Sequence, residues 1–169
     1  MGETGQPLIV VSNTSPLTNL AAIGHFDLLQ SLFGQLHLAR AVVAELSSGG
    51  RSWPGAIETA NAAWIEAHPV ADRQTVDALR LELDAGEAET IVLALQLRAD
   101  LVLMDEQAGR RAAQYFDLNV MGVVGLLVRA KQRHLIPAVG PLLENLQRQA
   151  GFYLSQSVFE HALELAGER

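Results

Sequence analysis

Cysteine is missing altogether from the 169 residues. Its absence removes disulfides, thiolate zinc sites and cysteine nucleophiles together, and it points to a reducing compartment, so a cytoplasmic location is expected. Aromatic side chains are sparse, with five Phe, two Trp and two Tyr. They are not interleaved with basic residues, so an extended stacking platform for single-stranded bases is not expected. Positive charge is also short: 12 Lys and Arg face 19 Asp and Glu, a formal charge of −7. That balance argues against a general nucleic-acid coat. It does not exclude an enzyme that gathers carboxylates around a metal ion, because those carboxylates enter the same total. No apolar run approaches the roughly 20 residues of a membrane helix, so no membrane partner is expected. The N-terminus lacks a basic segment followed by an apolar one, and no signal peptide is expected there. Phosphate loops of the Gly-Lys-Ser/Thr kind, dinucleotide glycine fingerprints and Gly-x-Ser-x-Gly elbows do not occur. The five histidines (His25, His37, His68, His134, His161) show neither His-Glu-x-x-His nor His-x-His spacing, so paired-histidine chemistry is not expected.

What is present is apolar. Hydrophobic residues make up 49% and charged residues 18%, which excludes wholesale disorder. A chain of this length buries about 70% of its unfolded surface and forms one domain by the usual prior. Residues 1–7 are small and polar and read as a disordered leader, and residues 8–169 as the single domain. Leu8-Ile9-Val10-Val11 reads as a strand buried on both faces, closed by the polar turn Ser12-Asn13-Thr14-Ser15-Pro16. Residues 17–32 are helical in character with an interruption at Gly24. Further strands are expected at 36–38, 64–67, 101–104 and 118–120. Helices are expected at 40–46, 56–63, 76–83, 87–98, 108–116, 125–133, 141–149 and 155–165. Residues 47–55, with three glycines, a proline and three serines, form the one clear loop. Strands separated by helices predict an α/β fold with a central parallel sheet covered on both sides.

In such sheets ligands sit beyond the carboxyl ends of the strands. Two strand ends are polar: Asn13-Thr14-Ser15 after the first, and Asp105-Glu106 after the later one. Two further acids interrupt apolar helical stretches, Glu45 in AVVAEL and Glu89 in GEAETIV. An acid among apolar residues is costly to bury without a partner. Clustered oxygen ligands select hard cations, Mg²⁺ or Mn²⁺. Each residue also has a plainer role. Glu45 suits the solvated side of a helix. Glu87, three residues after Asp84, has capping-box spacing. Asp105 or Glu106 can cap the helix that follows, Ser15 can share a metal-bound water or cap the helix after the first strand, and Asn13 can hold its turn. Glu87 and Glu89 are two apart and cannot face one point on a helix, and of the two Glu89 is preferred as ligand. Arg110 can steady a phosphate, pair with a site carboxylate or lie on the surface.

Taken in order, these segments resemble the PIN-domain nucleases, which include the VapC-type toxins of toxin–antitoxin pairs. The resemblance runs over nearly the whole chain from Leu8. Asn13-Thr14-Ser15 matches the family's turn after the first strand, and Glu45, Glu89 and Asp105 match its later acids. A less characterised PIN-like branch with VSNTSPL, GEAE, DE--GR and AK---LI segments is closer still. Those segments read here as residues 11–17, 86–89, 105–110 and 130–136. The resemblance implies a three-layer α/β/α fold and metal-dependent cleavage of RNA phosphodiesters. It further implies Mg²⁺ or Mn²⁺ held by Asn13, Glu45, Glu89 and Asp105, an antitoxin protein as partner, and a homodimer. Glu45, Glu89 and Asp105 are then the catalytic set, and Ser15, Glu87, Glu106 and Arg110 are auxiliary. Asn13 departs from the pattern, which most often has aspartate at this point. A neutral oxygen binds a hard cation less tightly, so a catalytically weak interaction module is the alternative reading.

Overall fold

Short, β-branched, uncharged runs separated by helices leave the chain one economical arrangement, parallel strands with helical crossovers, and that arrangement is observed. The computed structural model describes residues 7–48 and 53–169. The leader expected at 1–7 therefore lies, Pro7 apart, outside the described residues, as do residues 49–52 of the glycine-rich loop. Five strands make one sheet: β1 (Val10–Ser12), β2 (Leu36–Ala39), β3 (Ile65–His68), β4 (Leu101–Leu103) and β5 (Val120–Met121). All pairings are parallel and the order is β3-β2-β1-β4-β5. β1 is central and fully buried. It begins later than the apolar run does, because Leu8 is half exposed and only from Ile9 onward does the chain meet β4.

Helices cover both faces, giving the three-layer α/β/α fold. On one face the core joins α1 (Thr14–Ala22), α2 (Leu28–Phe33), α8 (Val123–Gln132), α9 (Gly140–Gln149) and α10 (Gln156–Leu165), with Val42 and Leu46 of α3 (Arg40–Ser48). On the other it joins α5 (Arg73–Leu79), α6 (Ala85–Leu97) and α7 (Gln107–Tyr115) to Val11, Ala39, Val102 and Met104. The short α4 (Ala56–Asn61) precedes β3. Among the described residues no helix is long and apolar enough to cross a membrane.

Local chemistry explains where the observed ends differ from the expected ones. Asp72 accepts from the Thr75 N–H at 3.1 Å and starts α5 three residues before Val76. Asp105 accepts from the Val123 N–H at 2.9 Å and starts α8 two residues before Gly125. The helical stretch 17–32 does break at Gly24, whose φ of +76° suits a residue without a Cβ. α6 is buried on every face along nine consecutive residues from Gly86 to Ala94, so it is the central helix of its layer.

The sheet order fixes where a ligand can sit. After β3, at one edge, the chain crosses to β4 on the far side of β1. The crossovers on either side of β1 then diverge, and the carboxyl ends of β1 and β4 frame the crevice left between them. Asn13 follows β1 directly, and Asp105-Glu106 follow β4.

Candidate functional site

Four backbone elements, the end of β1, α3 and the starts of α6 and α7, deliver oxygen atoms to that crevice. Asn13 is pinned by its own N–H, which donates to Leu103 O at 2.9 Å and so ties the end of β1 to the end of β4. It is 3% exposed and sits at the N-cap of α1, yet its side chain makes no capping bond. Its Nδ2 donates to Glu106 Oε1 at 3.3 Å. A carboxylate can only accept, so the amide orientation is set, and Oδ1 turns the other way. There Oδ1 is buried without a hydrogen-bond partner.

Glu45 arrives on α3 and accepts from the Thr14 hydroxyl. Its Oε1 and Asn13 Oδ1 converge on Gly86: a Cβ on that glycine would lie 2.8 Å from the first and 3.4 Å from the second. Gly86 thus leaves open a small space flanked by two oxygens. Glu106 begins α7 without capping it. Instead its two oxygens take the Ser15 hydroxyl at 2.9 and 2.8 Å, so Ser15 serves Glu106 and not the start of α1. Gly109 allows this close placement of α7, since a Cβ there would run into Met104 Sδ.

Glu87 joins the group from the first turn of α6. The capping box that its spacing predicts is formed, with Glu87 N–H donating to Asp84 Oδ1 at 2.8 Å and Asp84 N–H to Glu87 Oε1 at 3.1 Å. Burial, and then the charges of Asp84, Glu106 and Glu45, push the Glu87 carboxyl above the ordinary range. The same helix turn therefore serves structure and site at once. Asn13, Thr14, Ser15, Glu45, Asp84 and Glu106 line a cavity of about 210 Å³.

Glu89 and Asp105, expected beside Asn13 and Glu45, have other partners. Glu89 lies about 200° around α6 from Glu87 by helix geometry. Its Oε1 accepts from Ala41 N–H at 3.0 Å and its Oε2 from Arg73 Nη1 at 2.7 Å, so one oxygen is engaged at the start of α3 and the other at the start of α5. Asp105 turns to the start of α8, where Oδ1 accepts from Val123 N–H. Burial first, with a smaller push from Glu106, raises its carboxyl to about 6 against the pull of Val123 N–H and Arg110. Its Oδ2 is buried and unpaired. Asp105 opens instead on a second cavity, of about 460 Å³, with Arg110, Gly122 and Tyr153. Arg110 donates to Met104 O at 3.1 Å, which fixes it beside Asp105. Glu106 thus lines the cavity beside Asn13 and Glu45, Glu87 and Asp105 each feel the charge of Glu106 from its margin, and Glu89 has both oxygens engaged elsewhere.

A second cluster was not expected from the sequence. His37 on β2 with Glu66 and His68 on β3 each direct one ligand-type atom to a common region, all within 4.8 Å of one another. The only signal was an alternating Glu-x-His on a strand, which has meaning once β3 is known to pair with β2 in the register His37↔Glu66.

A family model described as a PIN domain matches residues 9–168, which include every strand and all of the residues above. No curated protein matches the chain. The three-layer α/β/α fold agrees with that match, and the chain belongs to the PIN-domain family, a nuclease superfamily.

Proposed function

We propose that this protein is a divalent-metal-dependent endoribonuclease whose site comprises Asn13, Glu45, Glu87 and Glu106. The observation that carries the reading is Asn13 Oδ1, buried and unpaired, facing Glu45 Oε1 across the space that Gly86 leaves open. An unpaired amide oxygen beside a carboxylate oxygen suits a cation. An all-oxygen donor set of three carboxylates and one amide suits Mg²⁺ or Mn²⁺ rather than a softer metal. In this reading Glu89 and Asp105 act as positioning residues, the first holding α3 and hence Glu45, the second holding α8 against the end of β4.

When bound, the cation would supply Lewis-acid stabilisation of charge on the phosphoryl and leaving oxygens and would favour deprotonation of an attacking water. The protein's own contribution is placement. Ser15 holds both Glu106 oxygens, Thr14 holds Glu45, and the capping box holds Glu87, so the donor groups lose little freedom when a ligand binds. Carboxylates brought this close repel one another and an RNA phosphate alike, so the site is poised to bind anionic substrate only with its charge neutralised. No side-chain nucleophile is required.

Cleavage of single-stranded RNA by chelator-treated protein, with and without Mn²⁺ or Mg²⁺, tests the reading. Activity is expected only with metal, and it should fall at least 100-fold in Glu87→Gln and Glu106→Gln while both variants keep the wild-type melting temperature. Asn13 favours one competing reading, a binding module that retains the site but not the activity. Mn²⁺ binding without cleavage would select it. The resemblance to VapC-type toxins extends the proposal to a toxin with an antitoxin partner and a homodimeric assembly. Co-purification with the product of an adjoining short reading frame, and light scattering, test those two parts.

A further inference from the structure

We propose a second metal site, for Zn²⁺ or a similar borderline cation, formed by His37, Glu66 and His68 where edge strand β3 pairs with β2. The argument begins with strand geometry. Residues 66 and 68 of β3 point to the same face, and the parallel register sets His37 opposite Glu66. Three ligand-type side chains therefore share one patch at the sheet edge, and none belongs to the acidic group at the β1–β4 crevice.

Without a metal the two rings share a hydrogen bond, and the distances among the three groups are also close to those a metal requires. His37 Nδ1 and His68 Nε2 are 2.9 Å apart, and Glu66 Oε1 lies 3.5 Å from the first and 3.4 Å from the second. A hydrogen bond between the two rings accounts for the first distance only. It leaves a carboxylate oxygen almost equidistant from both nitrogens and beyond the usual 3.2 Å limit for bonding to either. Around a tetrahedral ion with bonds of about 2.0–2.1 Å, neighbouring ligand atoms are separated by roughly 3.3–3.4 Å. The triangle of 2.9, 3.4 and 3.5 Å is close to one face of that tetrahedron.

The donor set specifies the metal class. Two imidazoles and one carboxylate suit Zn²⁺, Co²⁺, Ni²⁺ or Cu²⁺ better than Mg²⁺, whose preferred ligands are oxygens. Metal binding at such a site takes the neutral form of each imidazole. His37 and His68 side chains are 13% and 20% exposed and Glu66 57%. The patch is therefore reachable from solvent, and three protein ligands leave a fourth position for water or an added donor. A cation there joins β3, an edge strand of four residues, to its neighbour and stabilises the edge against fraying or pairing with another chain.

The test uses the full chain after chelator treatment, titrated with ZnCl₂ by calorimetry and with Co²⁺ by visible absorption. One Zn²⁺ equivalent is expected at this site, with a tetrahedral-type Co²⁺ spectrum. His68→Ala should weaken the affinity at least tenfold and abolish that spectrum, with Glu66→Gln giving a smaller loss. Both should be unchanged in the Glu45→Gln, Glu87→Gln double variant, in which the acidic site is disabled. At 100 times Kd the melting temperature should rise by roughly 5–11 °C in wild type. Wild-type Zn²⁺ affinity in folded His68→Ala and Glu66→Gln would overturn the proposal. So would loss of Zn²⁺ in the double variant alone, or no Zn²⁺ binding at micromolar concentration. These outcomes do not depend on RNA cleavage. If His37→Ala fails to fold, the variants at the strand edge decide the matter.

Discussion

Gly86→Ala separates the proposed cation site from the stability of the fold, because the same methyl group has opposite effects on the two. Gly86 is the second residue of α6 and has no left-handed φ, so alanine fits its backbone. Replacing glycine in a helix contributes up to about 1 kcal/mol of stability. The methyl would lie 2.8 Å from Glu45 Oε1, too close for ordinary contact, and 3.4 Å from Asn13 Oδ1. The carboxylate is the end of a flexible side chain and can move aside, at the cost of its bond from Thr14, about 1 kcal/mol. The two terms nearly cancel, and the melting temperature without metal should stay within about 4 °C of wild type. The cation cannot adjust in the same way. Oxygen ligands approach it at roughly 2.0–2.6 Å, and the methyl occupies the space between two of them. At Mn²⁺ equal to 100 times the wild-type Kd, binding contributes about 2.7 kcal/mol and raises the wild-type melting temperature by roughly 5–11 °C. A 100-fold weaker variant gains only about 0.4 kcal/mol, or about 1 °C, at the same concentration. Melting curves with and without Mn²⁺, paired with calorimetric titration, measure both effects. A folded Gly86→Ala protein with the full Mn²⁺ gain would refute the placement of the cation.

Asn13→Asp adds a charge at the unpaired Oδ1 position; it should tighten Mn²⁺ binding by about tenfold or more in calorimetry and lower stability without metal, since ligand charge tunes affinity for hard cations while crowded carboxylates repel. Unchanged affinity would leave Asn13 as a turn residue. Asp105→Ala deprives Val123 N–H of its acceptor and should cost about 1–3 kcal/mol, a drop of roughly 2–12 °C, whereas Asp105→Asn keeps an acceptor. Because the Asp105 carboxyl is raised to about 6, the fold favours its protonated form, and that contribution is full below pH 3.8 and is lost as pH rises through 6. Asp105→Asn should therefore flatten the fall in melting temperature between pH 4 and 6, and an identical pH profile would show that Asp105 is not the titrating group. Glu168 accepts from Val139 N–H at 2.6 Å, Gly140 N–H at 3.1 Å and Lys131 Nζ at 3.0 Å. Burial opposes its charge, but these donors outweigh burial and hold the carboxyl below its ordinary 4.5. Its stabilisation is full above that pH and fades as pH falls through the lowered value, so Glu168→Gln should lower the melting temperature by about 2–4 °C at pH 7, for ~1 kcal/mol. An equal loss at pH 3 would refute the linkage.

By itself the sequence determined the layers. Val10-Val11 and Leu101-Val102-Leu103 have no polar face, so they had to become strands covered on both sides, and the helices between them forced parallel pairing. Asp84 and Glu87 stand three apart, and that local spacing was enough to predict a capping box. Composition likewise marked Asn13, Glu45 and the acids of residues 87–89 and 105–106 as charges and polar groups too expensive to bury alone. Tertiary structure decided which acid of each pair meets Asn13. Two positions along α6 differ by about 200°, and only the docked helices show that Glu87 feels the charges of Glu106 and Glu45 while Glu89 turns to Ala41 N–H and Arg73. Consecutive residues after β4 also diverge, Asp105 to the start of α8 and Glu106 to Ser15 and Asn13. His37, Glu66 and His68 show the same limit most plainly. Their convergence depends on the pairing of residues 29 apart in sequence, where a shift of one residue would turn one strand's side chains to the opposite face. Local propensity and burial cost act through neighbours in sequence, whereas a ligand shell needs angular placement, and only the packed sheet and helices supply that.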